Sequence, residues 1–253
     1  LQKTLLFIPK ANVMKRKKLI IMFLSLIGAG LISSFILYKP IIDEGSASPS
    51  SGENNEIIDL PEPDYDSNVS VEEALQNRRS VRNYTNSALT VQDISQLLWA
   101  AQGITEPGRG FRTAPSAGAL YPLEVYVVVD RVKELDQGIY KYNVQKHHLK
   151  KLKSGEYNTK VAKAALGQSS IKQAAIQIIF SAVYDRTTQK YDDRGIRYVH
   201  MEAGHAAQNV LLQAVSLDLG SVVTGAFSDD ILEKLLNMPE NETALYIIPV
   251  GKI

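Results

Sequence analysis

The chain contains no cysteine among its 253 residues. That absence excludes disulfide scaffolds, cysteine-ligated zinc, thiol nucleophiles, thioredoxin-type redox chemistry and the acylated cysteine of a lipobox, while leaving either redox compartment open. An excess of one charge is missing too. With 28 basic and 27 acidic residues the formal net charge is +1, too little for a dedicated nucleic-acid binder. Neither G-x-G-x-x-G nor a Walker A sequence occurs, so nicotinamide-Rossmann and P-loop chemistry are not indicated, and there is no G-x-S-x-G elbow. Ser169-Ser170-Ile171-Lys172 fits S-x-x-K, but its usual partners S-D-N and K-T-G are absent, which leaves little for a hydrolase reading. Among four histidines, His200 and His205 stand five apart on a helix, not the four that would face one metal. They read as packing or hydrogen-bonding residues. His147-His148 falls in a polar hairpin and reads as surface, and Asp192-Asp193 as the solvated start of a helix.

What is present is unevenly distributed. Residues 1–18 carry six bases and no acid, whereas residues 40–76 carry ten acids and no base. Between these zones lies an uncharged run from Leu19 to Tyr38, closed by Lys39 and Pro40. A helix of about 20 residues spans a hydrocarbon core of about 30 Å, and signal-peptide cores are shorter. Residues 19–38 are therefore expected to form a transmembrane signal anchor. The basic residues 1–18 would stay cytoplasmic under the positive-inside rule, giving a single-pass cell-membrane protein whose main domain is extracytoplasmic. Met14, just before Lys15-Arg16-Lys17-Lys18, is a candidate working start. Residues 39–69, acidic and rich in Ser, Gly and Pro, read as a disordered, self-repelling linker.

From residue 70 to residue 253 the pattern becomes regular. Thr90–Gln102 is an amphipathic helix with Thr90 as N-cap and Ile94, Leu97, Leu98 and Ala101 on one face. A shorter helix is expected over Val71–Arg79 and another over Tyr157–Leu166. Leu123–Val129 reads as a strand, Gly138–Asn143 with His148–Leu152 as a hairpin, and Ala175–Val183 as a buried strand. Ile196–Leu217 is a long central helix with Gly220 as its stop. Val222-Val223 is a short strand, Ser228 caps a helix to Leu236, and Leu245–Val250 closes the chain as a strand. Strands and helices mix without regular βαβ alternation, which predicts an α+β layered fold.

Two segments carry chemistry. Arg78-Arg79-Ser80-Val81-Arg82 gathers three guanidiniums and a hydroxyl, a donor set suited to phosphate. Ala114-Pro115-Ser116-Ala117-Gly118-Ala119-Leu120-Tyr121-Pro122 sets small residues between prolines ahead of a buried strand, so that backbone can approach a flat group. Each also has a plain alternative, a solvated basic patch or a tight turn.

The order of RRSVRNY, APSAGALYPLEVYVVV, GIYKYN, KYDDRGIRYVHMEAGHAAQNVLLQA, LGSVVTGAF and IPVGK resembles the nitroreductase superfamily of FMN enzymes over about residues 70–253. Within it, the chain is most similar to the azoline dehydrogenases (SagB-type) that oxidise thiazoline and oxazoline rings in modified peptides. The resemblance implies a mostly antiparallel sheet flanked by helices, and an intertwined homodimer with FMN at the subunit interface. It implies that Arg78, Arg79, Ser80 and Arg82 hold the FMN phosphate and ribityl chain, with Lys252 completing the phosphate site. Ser116, Ala117, Gly118, Ala119 and Leu120 would line one side of the flavin ring, and Thr224 and Gly225 the other. Lys190 and Tyr191 match a catalytic pair, and a Tyr or Lys of lowered pKa can take the proton that leaves as hydride passes to the flavin. Ala119 stands where typical nitroreductases carry Asn, which turns the expectation away from nitro reduction. A non-catalytic FMN-binding module is the alternative.

Overall fold

The computed structural model describes residues 56–253. In chain order the elements are β1 (Ile57–Asp59), α1 (Val71–Asn77), α2 (Val91–Gln102), β2 (Ile104–Glu106), β3 (Phe111–Arg112), a 3-10 turn (Ala117–Ala119), β4 (Leu123–Val129), β5 (Gly138–Asn143) and β6 (His148–Ser154). They continue with α3 (Asn158–Ala164), α4 (Ser169–Gln173), β7 (Ile176–Ala182), α5 (Asp185–Tyr191), α6 (Arg194–Ser216), β8 (Leu219–Ser221), α7 (Asp229–Leu236) and β9 (Thr243–Lys252). Seven strands form one sheet in the order β1-β6-β5-β4-β7-β9-β8, and every pairing in it is antiparallel.

The sheet is covered on both faces, which explains why its central strands read as continuous apolar runs. Side chains alternate along β7. Ile176, Ile178 and Phe180 join Val125, Val127 and Val129 of β4 in a core shared with α2 and α6, through Leu97, Leu98, Val199 and Val210. Ile179, with Tyr126 and Val128, faces the opposite way into a second core built on Val161 of α3, Ile171 of α4 and Leu232 and Leu236 of α7. The result is a three-layer α+β sandwich.

Registry fixes which residues sit at which end. Val129 pairs with Ile176, and Ile176 with Val250, at one end of the sheet. Leu123 pairs with Ala182, and Ala182 with Thr243, at the other. The seven residues of β7 separate these ends by roughly 20 Å at about 3.3 Å per residue.

Four expectations are corrected. Among the described residues no helix is long and apolar enough to cross a membrane; the longest, α6, carries Arg194, Arg197 and Glu202 and lays one face on the sheet. The expected fold class, a layered body preceded by a transmembrane helix, is therefore corrected to the layered body, and the anchor expected over 19–38 lies outside the described residues. The linker expected to reach residue 69 gives way earlier, because Ile57–Asp59 pairs with β6 and Leu60 is buried. Gln96 then clamps Asp64 by accepting from its amide at 2.8 Å and donating to its carbonyl at 2.9 Å. The stop of α6 is Asp218 in the left-handed region (φ 54), while Gly220 belongs to β8, Leu219–Ser221, which ends just before the strand expected at Val222-Val223. His147 and His148 are not simple surface residues: His148 is buried, and His147 joins Ser95 at 2.7 Å and Tyr142 at 2.8 Å.

Thr90 does cap α2, and Asp93 completes a reciprocal capping box, with bonds of 3.1 and 2.9 Å. Because α2 supplies Ile94, Leu97, Leu98 and Ala101 to the core, fraying its first turn loosens the body. Thr90→Ala is expected to lower the unfolding free energy by about 1 kcal/mol, read as a lower urea midpoint at unchanged slope.

Candidate functional site

The basic half lies where the chain's two ends of the fold meet. After α1 the backbone runs beside β8: Ser80 bridges Ser221, and the Val81 amide donates to the Ser221 carbonyl at 3.0 Å. Gly220 permits this approach, since a β-carbon there would lie 2.7 Å from Val81 Cγ1. Farther along, the Thr85 amide donates to the Lys252 carbonyl at 2.8 Å. Arg78, Ser80, Arg82 and Lys252 are thus brought to one end of the sheet.

Arg78 and Arg82 make no ion pair among the described residues, and Lys252 reaches Asp93 only at 3.6 Å. Arg82 and Ser80 are exposed and Arg78 is half-buried. Two guanidiniums without a carboxylate partner beside a weakly held ammonium fit a dianionic group. Arg79 is diverted: its Nη1 donates to the carbonyls of Gln76 and Arg78 at 2.8 Å each, closing the C-terminus of α1. Thr224 is pinned to β9 by paired bonds to Ile247 of 2.8 and 2.9 Å, and Gly225 lies over the Tyr246 ring. These two sit about 17 Å along β9 from Lys252, counted at about 3.3 Å per residue.

The small-residue half lies at the opposite end, entering β4 at Leu123. Its backbone is unusual: Gly118, Ala119 and Tyr121 all have positive φ (65, 54 and 46). For Ala119 and Tyr121 this costs roughly 1–2 kcal/mol each, so other contacts must hold the loop. The Ala119 amide donates to the Ser116 carbonyl at 3.0 Å, and the Tyr121 amide to the Ser116 hydroxyl at 2.9 Å. Arg186 Nη1 donates to the Tyr121 carbonyl at 3.1 Å, and the Arg112 guanidinium lies 4.3 Å from the centre of the Tyr121 ring.

Lys190 and Tyr191, at the end of α5, stand against this loop. A β-carbon at Gly118 would lie 2.8 Å from Tyr191 Oη and 3.0 Å from Lys190 Nζ, so glycine leaves room for both polar tips. The structure therefore unites Gly118 with Lys190 and Tyr191, but it separates all of them from Arg78, Arg82 and Lys252. The alternatives recede. Ser169 and Lys172 are both exposed on the short helix α4, His200 is bonded to Tyr184 at 2.7 Å, and no group of His, Asp and Glu able to hold a metal occurs among the described residues.

Sequence reasoning missed three supporting residues. Arg186, one helical turn before Lys190, spans Tyr121 and Glu124. Arg112 donates to Gln102 Oε1 at 2.7 Å and stacks on Tyr121. Glu202 is 2 % exposed, an acid on the face of α6 that otherwise shows Val199, Ala203 and Ala206 to the core. The signal for Glu202 was available as one carboxylate in an apolar helical stripe. Burial pushes its pKa up to about 7, against a Ser116 hydrogen bond and the Arg112 charge, which pull it down.

Comparison with known proteins accords with this geometry. The sequence profile of the nitroreductase family matches residues 75–252. A nitroreductase-type protein of Methanocaldococcus jannaschii, MJ1384, is 46% identical over 195 residues, covering 77% of this chain and 96% of that protein. The microcin B17-processing protein McbC of Escherichia coli is 26% identical over 165 residues, covering 63% of this chain and 61% of its own. A crystal structure of a nitroreductase-type protein from Ralstonia eutropha superposes with a TM-score of 0.68 at 27% identity, over 79% of this chain and 91% of that one. With the order of motifs, the layered sheet and the family profile in agreement, the chain belongs to the nitroreductase family of flavin-dependent oxidoreductases.

Proposed function

We propose that the protein is an FMN-dependent oxidoreductase of the azoline-dehydrogenase type, working as a homodimer in which each flavin site draws on both chains. The observation that carries the reading is the separation of the two half-sites. Arg78, Arg82 and Lys252 lie beyond Val250, while Gly118 precedes Leu123 at the far end of the sheet. Within one chain the basic cluster and the Ser116–Leu120 loop lie at opposite ends of the paired strands β4 and β7. A two-fold partner can set its own loop against the other chain's basic cluster. The helix α6 exposes Ile196 and Met201, apolar side chains that such a partner would cover.

In this assembly Arg78, Arg82, Ser80 and Lys252 would hold the phosphate and the chain leading from it, by charge-assisted hydrogen bonds. Thr224 and Gly225 of the same chain would flank the ring, opposite Ser116–Leu120 of the second chain. Since Ala119 has no side-chain amide, ring contacts there come from backbone groups. Bound flavin supplies a two-electron acceptor at N5. Aromatising a thiazoline or oxazoline ring requires that a hydride leave one ring carbon and a proton leave its neighbour, and Lys190 or Tyr191 would receive the proton. The likeness to McbC, by name a microcin B17-processing protein, supports a modified-peptide substrate over a free nitroaromatic.

Two outcomes test the proposal. Replacing Arg78 and Lys252 together by Ala should weaken FMN binding by about 10–100-fold, the scale of one or more hydrogen bonds to a charged group. Mixing that variant with a Gly118→Val chain should restore tight binding in about a quarter of the sites, because a random heterodimer carries one intact site of two. Absence of restoration, with dimers formed, contradicts the shared site. Separately, Lys190→Ala and Tyr191→Phe should lower the rate of oxidation of a thiazoline-containing peptide by about 10²–10⁴-fold while bound FMN stays at the parent level. Unchanged turnover would return the pair to a packing role.

A further inference from the structure

Beside the loop that carries Gly118 lies a cavity of about 340 Å³ that the proposed chemistry does not use. Ligand-sized pockets begin near that volume. Leu123 and Glu124, which open β4 directly after the loop, form part of its wall. Arg186 forms another part and ties the two together, donating to the Tyr121 carbonyl at 3.1 Å and to Glu124 Oε1 at 2.6 Å. Arg112, stacked on Tyr121, adds a third. Arg186 and Lys190 are four residues apart on α5, which sets them about 6 Å apart along the helix, one above the other. The cavity therefore adjoins the Lys190–Tyr191 pair.

Its charge is lopsided. Arg112, Lys141, Lys150 and Arg186 line it against a single carboxylate, Glu124. That carboxylate is already shared, with one oxygen on Arg186 at 2.6 Å and the other on Lys141 Nζ at 3.1 Å. Glu242, buried and anchored by the Ser181 hydroxyl at 2.6 Å, also takes up Lys141, at 3.1 Å. Arg112 and Lys150 have no carboxylate within 4 Å among the described residues. Lys150 stands directly opposite Lys141 on the paired strands β5 and β6, a like-charge placement that destabilises a sheet unless an anion lies between. Arg112 uses one nitrogen on Gln102 Oε1 at 2.7 Å, and its Nε is buried without a hydrogen-bond partner. A half-buried cation in that condition is costly until an anion reaches it.

We propose that this cavity is an anion subsite for the substrate, in which Arg112 and Lys150 receive a carboxylate carried one or two residues from the reacting ring, so that the enzyme acts on acidic peptides. The inference rests on the reading of Gly118, Lys190 and Tyr191 as the ring-facing site. Two residues of extended chain reach about 7 Å, which matches the one-turn offset between Arg186 and Lys190. Glu124 does not oppose the ligand, because Arg186 and Lys141 together outweigh its charge. Arg112 offers the planar fork of donors that a carboxylate fits. Lys150, exposed at the rim, adds attraction, and a carboxylate beside it also relieves its opposition to Lys141.

The test uses the full chain loaded with FMN and two peptides that each contain one thiazoline ring. One peptide carries Glu at the second residue on each side of the ring, and the other carries Gln there. Calorimetry gives their dissociation constants for the parent, Lys150→Ala and Lys150→Glu. Each protein is read by its own Gln-to-Glu ratio, so that any general change in the fold cancels. The parent should bind the Glu peptide about tenfold more tightly, the scale of a hydrogen bond between charged groups. That preference should shrink to about threefold in Lys150→Ala and vanish or reverse in Lys150→Glu. Equal affinities in the parent, failure of both peptides to bind, or a preference untouched by Lys150→Glu overturn the inference. A Lys150-dependent affinity for NADPH with no preference for Glu would give the cations to a phosphate and overturn it as well. Turnover, followed as flavin reduction by each peptide, separates the two readings. Oxidation without a Glu preference keeps the azoline reading and removes the subsite, whereas a Glu preference without oxidation keeps the subsite and removes the azoline reading.

Discussion

The account depends on the length of the central strands. Because β4 and β7 pair in register over seven residues, Leu123 enters the sheet about 20 Å along the strand direction from the end at which Val250 lies. The arginine segment is bound to β8 and the carboxyl-terminal end of β9 by backbone hydrogen bonds, and the Ser116–Leu120 loop is bound to the opposite end by Ser116, Arg112 and Arg186. Neither can swing across without breaking the sheet. On the proposed reading a site made of both would be assembled between molecules, and oligomerisation would then belong to cofactor binding itself.

The two halves store different kinds of cost. At the basic end Arg78 and Arg82 have no carboxylate partner among the described residues, a state tolerable in water and suited to an arriving anion. At the loop end the cost is internal, with two non-glycine residues in left-handed conformation and a buried acid lacking a full set of partners. Strain of this sort persists only where neighbouring contacts over-determine it. Arg112, Arg186 and Ser116 serve that purpose around Tyr121. The Lys190 ammonium and the Tyr191 hydroxyl then stand on the face that Gly118 leaves open.

Much of the fold was legible from local pattern. β4 at Leu123–Val129 and the capped helix after Thr90 follow directly from alternation, apolar spacing and cap chemistry. The order of motifs also led to the right family. Three things were not legible. Composition made residues 57–64 look like tether, yet a few backbone bonds to β6 and the Gln96 clamp suffice to fix them. Asp218 ended α6 in a conformation usually taken by glycine. The division of the site between opposite sheet ends is a property of strand order, which no short motif encodes. Glu202 lay in plain view, but only its neighbours distinguish an acid on the helix's dry face from one on its wet face.

The most direct measurement is a crystal structure of the protein loaded with FMN. The account predicts the phosphate against Arg78, Arg82 and Lys252 of one chain and the ring against the partner's Gly118. A flavin held wholly by one chain, or bound away from both Gly118 and Lys252, would contradict it.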